Sequence, residues 1–118
     1  MDRKKELKEQ YKQMKPDMGI FTVRSNISNK AYLGISQNLN GYINRTLFQL
    51  KLGSHPNMEL QKDWKEYGAD NFTVEIIEIL EYDKDESKTD YSEELAVLKM
   101  IWEEKLVKEN KELYISTN

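Results

Sequence analysis

The chain has 118 residues, a formal net charge of −3 and no cysteine. A length of about 100–200 residues usually makes one domain, so one compact unit is expected, without disulfides, thiolate zinc sites or a cysteine nucleophile. The single histidine, His55, excludes any site built on two, and no apolar run approaches the length of about 18 residues that a membrane-spanning helix needs.

Residues 2–14 carry Leu7, Tyr11 and Met14 at i, i+4, i+7 among Lys, Glu, Gln and Arg, a helix with a thin apolar stripe, set off as an arm over residues 1–17 by Pro16. The expected domain is 18–118. Met18-Gly19-Ile20-Phe21-Thr22-Val23 and Ala31-Tyr32-Leu33-Gly34-Ile35 are short apolar runs around the polar turn Ser25–Lys30, the pattern of a β-hairpin. Residues 38–52 return to helical spacing through Leu39, Ile43, Leu47 and Leu50, with Gly53 and Pro56 after the end. Asn57 then caps a second helix bearing Met58, Leu60, Trp64 and Tyr67, stopped by Gly68.

Phe72–Leu80 is the clearest strand. Strict alternation puts Phe72, Val74, Ile76 and Glu78 on one face and Ile77 and Ile79 on the other, so both faces are partly covered, as in a central strand. Residues 82–91 form a polar loop long enough to be mobile. Asp90 and Glu93 have capping-box spacing before a last helix with Leu95, Leu98, Ile101, Trp102 and Leu106. From Asn110 the tail shows little pattern until Tyr114-Ile115. The order predicts the α+β class: a small three-stranded antiparallel sheet flanked by helices, with an extra N-terminal helix.

Charge is uneven along the chain. Residues 1–66 hold 12 Lys/Arg against 7 Asp/Glu, and residues 67–118 hold 6 against 14. A basic half can face phosphate and an acidic half is repelled by it, although two solvated faces explain the same counts. Nothing apolar follows Met1-Asp2-Arg3-Lys4-Lys5, so no secretory signal is read there and the cytoplasm is the expected compartment.

Gly19-Ile20-Phe21, ten further residues, then Tyr32-Leu33-Gly34 resembles the signature of the GIY-YIG nuclease family. The likeness continues through Ser36–Leu39, Leu52-Gly53-Ser54-His55, Leu60-Gln61, Trp64, Tyr67-Gly68, Asn71-Phe72 and the helix around Trp102, covering about residues 18–107. The resemblance implies a small nuclease fold whose members cut DNA phosphodiesters with one divalent metal ion. That chemistry needs a positioned phenol or water, a cation on the scissile phosphate and a carboxylate for the metal.

The residues at those positions depart from the pattern. The first signature tyrosine is Phe21, which cannot donate, accept or ionise. The second is kept as Tyr32. Tyr42 stands where the family has an arginine, and a phenol carries no positive charge. Lys99 stands where it has the metal-binding glutamate, three residues before Trp102, and an ammonium repels a cation. Glu103, at i+4 from Lys99, offers a carboxylate or a simple helical ion pair.

Tyr32 and Arg45 are the candidate catalytic residues, and Arg45, Lys51 and His55 the candidate nucleic-acid contacts. Each has an ordinary alternative: Tyr32 as a strand aromatic, Arg45 as a solvated charge, His55 as a structural loop residue, Trp64 and Trp102 as core. The expected function is that of a nuclease-like domain with degraded catalysis, a regulator or inhibitor that binds protein or DNA and needs no cofactor; a mobile-element or phage origin is one setting for it. The alternative is an endonuclease using Tyr32, Arg45 and Mg or Mn at Glu103. A third route is phosphate binding through Arg3, Lys4, Lys5, Lys8 and Lys12 on the first helix.

Overall fold

The computed structural model describes residues 15–114; the expected helix 2–14 and its basic residues lie outside them. The elements are β1 (Met18–Ser25), β2 (Lys30–Ser36), α1 (Leu39–Leu52), α2 (Met58–Tyr67), a 3-10 turn at Ala69–Asn71, β3 (Phe72–Leu80), α3 (Ser92–Lys108) and β4 (Glu112–Leu113). Among the described residues no helix is long and apolar enough to cross a membrane.

The sheet runs β3-β1-β2-β4. β1 pairs antiparallel with β2 and with β3, and β4 adds a short parallel pairing of Lys30 with Glu112 and Ala31 with Leu113. The sheet is thus four-stranded and mixed rather than three-stranded and antiparallel. The central strand is β1, which is buried from Met18 to Val23. β3 lies at the edge instead, with Ile76 and Ile79 substantially exposed.

A β-bulge explains why strict alternation fails in β3. Ile20 faces Glu78 while its neighbour Phe21 faces Ile76, which leaves Ile77 as the extra residue. Ile77 packs against the cluster of Ile20, Leu98 and Leu106, and Glu78 accepts a 3.0 Å hydrogen bond from Trp102 Nε1 on α3. Both residues therefore belong to the α3 side, and Ile79 pairs with Gly19.

Three layers result. Phe21, Val23 and Phe72 meet Leu39 and Leu50 of α1 and Leu60 of α2 on one side of the sheet. Ile20, Ala31 and Leu33 meet Leu98 and Leu106 of α3 on the other. Fully burying each Leu, Ile or Phe contributes about 1.5–3 kcal/mol, so these two clusters dominate the stability.

Caps fix the helix ends. The Asn38 side chain accepts from Gly41 N at 3.1 Å, and Asn57 Oδ1 accepts from Leu60 N at 3.0 Å. Asp90 does not complete a capping box: its carboxylate accepts from Ser92 N, and the cap position is Tyr91. The 82–91 loop is tied down rather than free. Tyr82 donates to Pro16 O at 2.6 Å, Gln37 Nε2 donates to Thr89 O at 2.9 Å, and Gln37 Oε1 accepts from Tyr91 N at 3.1 Å.

Both signature glycines answer to close packing. A Cβ at Gly19 would lie 2.1 Å from the Glu78 carbonyl oxygen, and one at Gly34 would lie 2.4 Å from the Phe21 ring. Gly34→Ala is expected to lower the unfolding free energy by about 1–3 kcal/mol through overpacking. Chemical denaturation checks this, and an unchanged midpoint would contradict it.

Candidate functional site

The hairpin and the first turn of α1 build an aromatic cluster. Tyr32 points toward the helices α1 and α2, on the same side as Phe21. The Phe21 ring is fully buried and meets Tyr32 edge-on at 6.4 Å and Tyr42 at 5.5 Å between centroids. The hydroxyls of Tyr32 and Tyr42 share a 3.0 Å hydrogen bond in which either can donate. Burial, then this bond, pushes the Tyr32 phenol far above the usual tyrosine value. At neutral pH it is a protonated, partnered hydroxyl.

His55 sits in the α1–α2 loop, with its ring edge-on to Tyr32 at 5.2 Å. Its Nδ1 accepts from Asn57 N at 3.0 Å. A backbone N–H can only donate, so the neutral ring carries its proton on Nε2. Gln61 clamps the loop, accepting from His55 N at 2.9 Å and donating to Leu50 O at 3.0 Å. Burial lowers the His55 pKa below its ordinary 6.5, and the Asn57 bond acts the other way.

A cleft of about 470 Å³ opens at the β2 edge, between this loop and α3. Its walls include Tyr32, His55, Asn57, Lys99, Glu103 and Tyr114. The lower wall is held by a polar network. Tyr114 O–H donates to the buried Asp63 carboxylate at 2.8 Å, and Asn57 Nδ2 donates to Tyr114 O at 3.4 Å. Burial raises the Tyr114 pKa, and Asp63 beside it adds to the rise.

The structure brings together four of the residues singled out from sequence: Tyr32, His55, Lys99 and Glu103. It leaves Arg45 and Lys51 on the exposed face of α1, outside the cleft. Phe21 and Tyr42 lie behind Tyr32 as its packing partners. Lys99 and Glu103 are half-buried, and the expected helical ion pair between them does not form. Trp64 packs on Phe72 at 5.0 Å, and Trp102 is half-buried, with its indole on Glu78. Two wall residues had no functional signal in the sequence. Asn57 reads only as a helix cap, and Tyr114 reaches the cleft only because β4 pairs with β2.

The catalytic domain of homing endonuclease I-TevI matches this structure with a TM-score of 0.63 at 22% identity, over 80% of this chain and 94% of that one. A mutant form of the catalytic domain of intron endonuclease I-TevI gives a TM-score of 0.63 at 22% identity, over 86% and 97%. The fold is GIY-YIG-like. No family model matches the sequence, and no curated protein matches it.

A divalent metal ion, which the resemblance implies, does not fit the cleft residues. They offer one carboxylate, Glu103, one imidazole whose Nδ1 already accepts a hydrogen bond, and the Lys99 ammonium. Mg²⁺ and Mn²⁺ favour oxygen donors and are repelled by an ammonium. Among the described residues no group of three or more His, Cys, Asp or Glu side chains could hold a metal.

His55 also makes a pH signature. Its pKa is depressed in the folded chain, so below about pH 6.5 the unfolded chain binds the extra proton first and stability falls. The loss begins as pH drops through the unfolded value and saturates below the folded one. Thermal unfolding across this range is expected to show the drop in the wild type and a flatter profile in His55→Gln. Equal slopes in both would contradict the assignment.

Proposed function

We propose that this chain is a GIY-YIG-like domain that does not cut phosphodiester bonds and acts by binding a macromolecular partner, protein or nucleic acid, as a regulator or inhibitor. The observation that carries this reading is the presence of the Lys99 ammonium beside a single carboxylate, Glu103, among the cleft residues, where metal-assisted hydrolysis needs a cation held by oxygen donors. The state of Tyr32 supports it. A half-buried phenol hydrogen-bonded to Tyr42 and raised in pKa is a poor proton acceptor at neutral pH, and Phe21 behind it cannot relay a proton. The exposed Arg45 stands outside the cleft, away from where charge would develop on a bound phosphate. Binding without turnover leaves no requirement for a cofactor.

The test is direct. Pure protein incubated with plasmid and with single-stranded DNA, in Mg²⁺ or Mn²⁺, is expected to leave both intact at the level of an Arg45→Ala control. Cleavage that disappears in Arg45→Ala would sink the proposal. If the wild type is inert, the double variant Lys99→Glu, Tyr42→Arg removes the repelling ammonium and restores a cation. Metal-dependent nicking gained by it would show that these two positions hold the lost functions.

A further inference from the structure

α3 has a second apolar stripe that the domain core does not use. Leu95, Leu98 and Leu106 are buried in the core. On the opposite side Glu93, Val97, Met100, Glu104 and Val107 follow one another at alternating spacings of four and three residues, which keeps them in one line along a helix. All five are exposed, and Val97, Met100 and Val107, with Ile101 beside them, are between 45% and 68% exposed. An apolar line of this kind, marked by carboxylates, suits the apolar face of a basic helix.

Residues 1–14 carry the complement. At the helical spacing read from the sequence, Lys4, Leu7, Tyr11 and Met14 follow one another at three and four residues. Arg3 and Lys8 flank that line, and Asp2, Glu6 and Glu9 fall on the other side. A helix this short is marginal alone in water and draws its stability from packing its stripe on something. The point where it joins the domain favours α3. Pro16 O accepts from Tyr82, whose ring lies edge-on to Tyr91 at 5.5 Å, and Tyr91 is the residue before α3. Helical residues 2–14 would reach about 20 Å, and α3 runs about 24 Å from Ser92 to Val107, so an arm folded back from Pro16 matches it in length. Charge favours the same choice. The exposed apolar pair on α1, Phe48 and Leu52, stands among Arg45 and Lys51, which share the sign of the arm, whereas the α3 line contains Glu93 and Glu104. The Glu104 partner in the domain is Lys108 at 3.6 Å, an exposed pair that costs little to give up.

We infer that residues 2–14 dock as a helix antiparallel to α3, with Leu7 and Tyr11 on Val97, Met100 and Ile101 and with Lys4 beside Glu104. The arm covers the outer side of α3 and leaves the cleft open, because Lys99 and Glu103 line the cleft from other faces of the helix. Its basic residues then answer α3 rather than a phosphate backbone. The inference goes beyond the proposed function and stands whether or not the chain cuts DNA.

The chain has no cysteine, so Glu9→Cys gives the full chain one attachment point for a nitroxide spin label, on the arm face away from the stripe. Amide broadening is read by NMR in two samples. One is dilute, isotope-enriched, spin-labelled protein; the other mixes spin-labelled chain of natural isotope abundance with enriched chain that carries no label. The strongest broadening is expected from Val97 to Glu104 in the first sample, with none in the second. Val97→Asp is expected to abolish it, and Phe48→Asp to leave it unchanged. Both positions are exposed, and unchanged amide shifts in the sheet verify that the variants fold; Met100→Asp replaces Val97→Asp if that check fails. Broadening centred on Phe48–Leu52, no selective broadening at all, persistence in the α3 variant or loss in Phe48→Asp overturns the inference. Broadening of α3 in the mixed sample overturns it in favour of a second copy of the chain on this face.

Discussion

The Phe21 ring is the contact on which the functional face depends. It comes from the central strand, is wholly excluded from solvent, and occupies the space that a side chain at position 34 would need. Tyr32 and Tyr42 lean on it from β2 and α1, and that shared support brings their hydroxyls within 3.0 Å. One ring thus sets the sequence requirement at Gly34 and contributes to the burial that, with the Tyr42 hydroxyl, raises the Tyr32 pKa. An ionised phenol would have to surrender water for a site already occupied by an aromatic ring and another hydroxyl, which is why its pKa moves up.

The opposite wall obeys a different constraint. His55 is held by main-chain and Gln61 hydrogen bonds at the turn between two helices, and the C-terminal strand closes the space below through Tyr114 and Asp63. These bonds are largely buried, so each donor removed leaves an acceptor without water to replace it. α3 brings Lys99 and Glu103 to the rim. Both line the cleft, and no ion pair joins them.

Local sequence signals located most of these elements, because each has its own chemistry: Asn57 as a cap, Gly53 and Gly68 at helix ends, alternating apolar residues in the hairpin. What failed was non-local. β4 is two residues long, and its pairing with Lys30 and Ala31 depends on α3 delivering the chain to the free edge of β2. The bulge at Ile77 arises from the fit of β3 against Gly19 and Ile20, so alternation alone placed Ile77 on the correct face but misplaced Glu78 and Ile79 beyond it. At the cleft, the residue identities at 21, 42 and 99 were informative in sequence. That Lys99 leaves Glu103 unpaired is a matter of side-chain direction at a surface that three separate segments create.

On the proposed reading, a divalent ion finds no home between His55, Lys99 and Glu103. Paramagnetic broadening by Mn²⁺ reads this without reference to any activity, since its effect falls steeply with distance from the bound ion. At substoichiometric Mn²⁺ the amide and ring signals of Tyr32, His55, Lys99 and Glu103 are predicted to broaden no more than those of the exposed acidic 81–86 segment. Selective loss of the His55 and Glu103 signals, relieved by Mg²⁺, would contradict it.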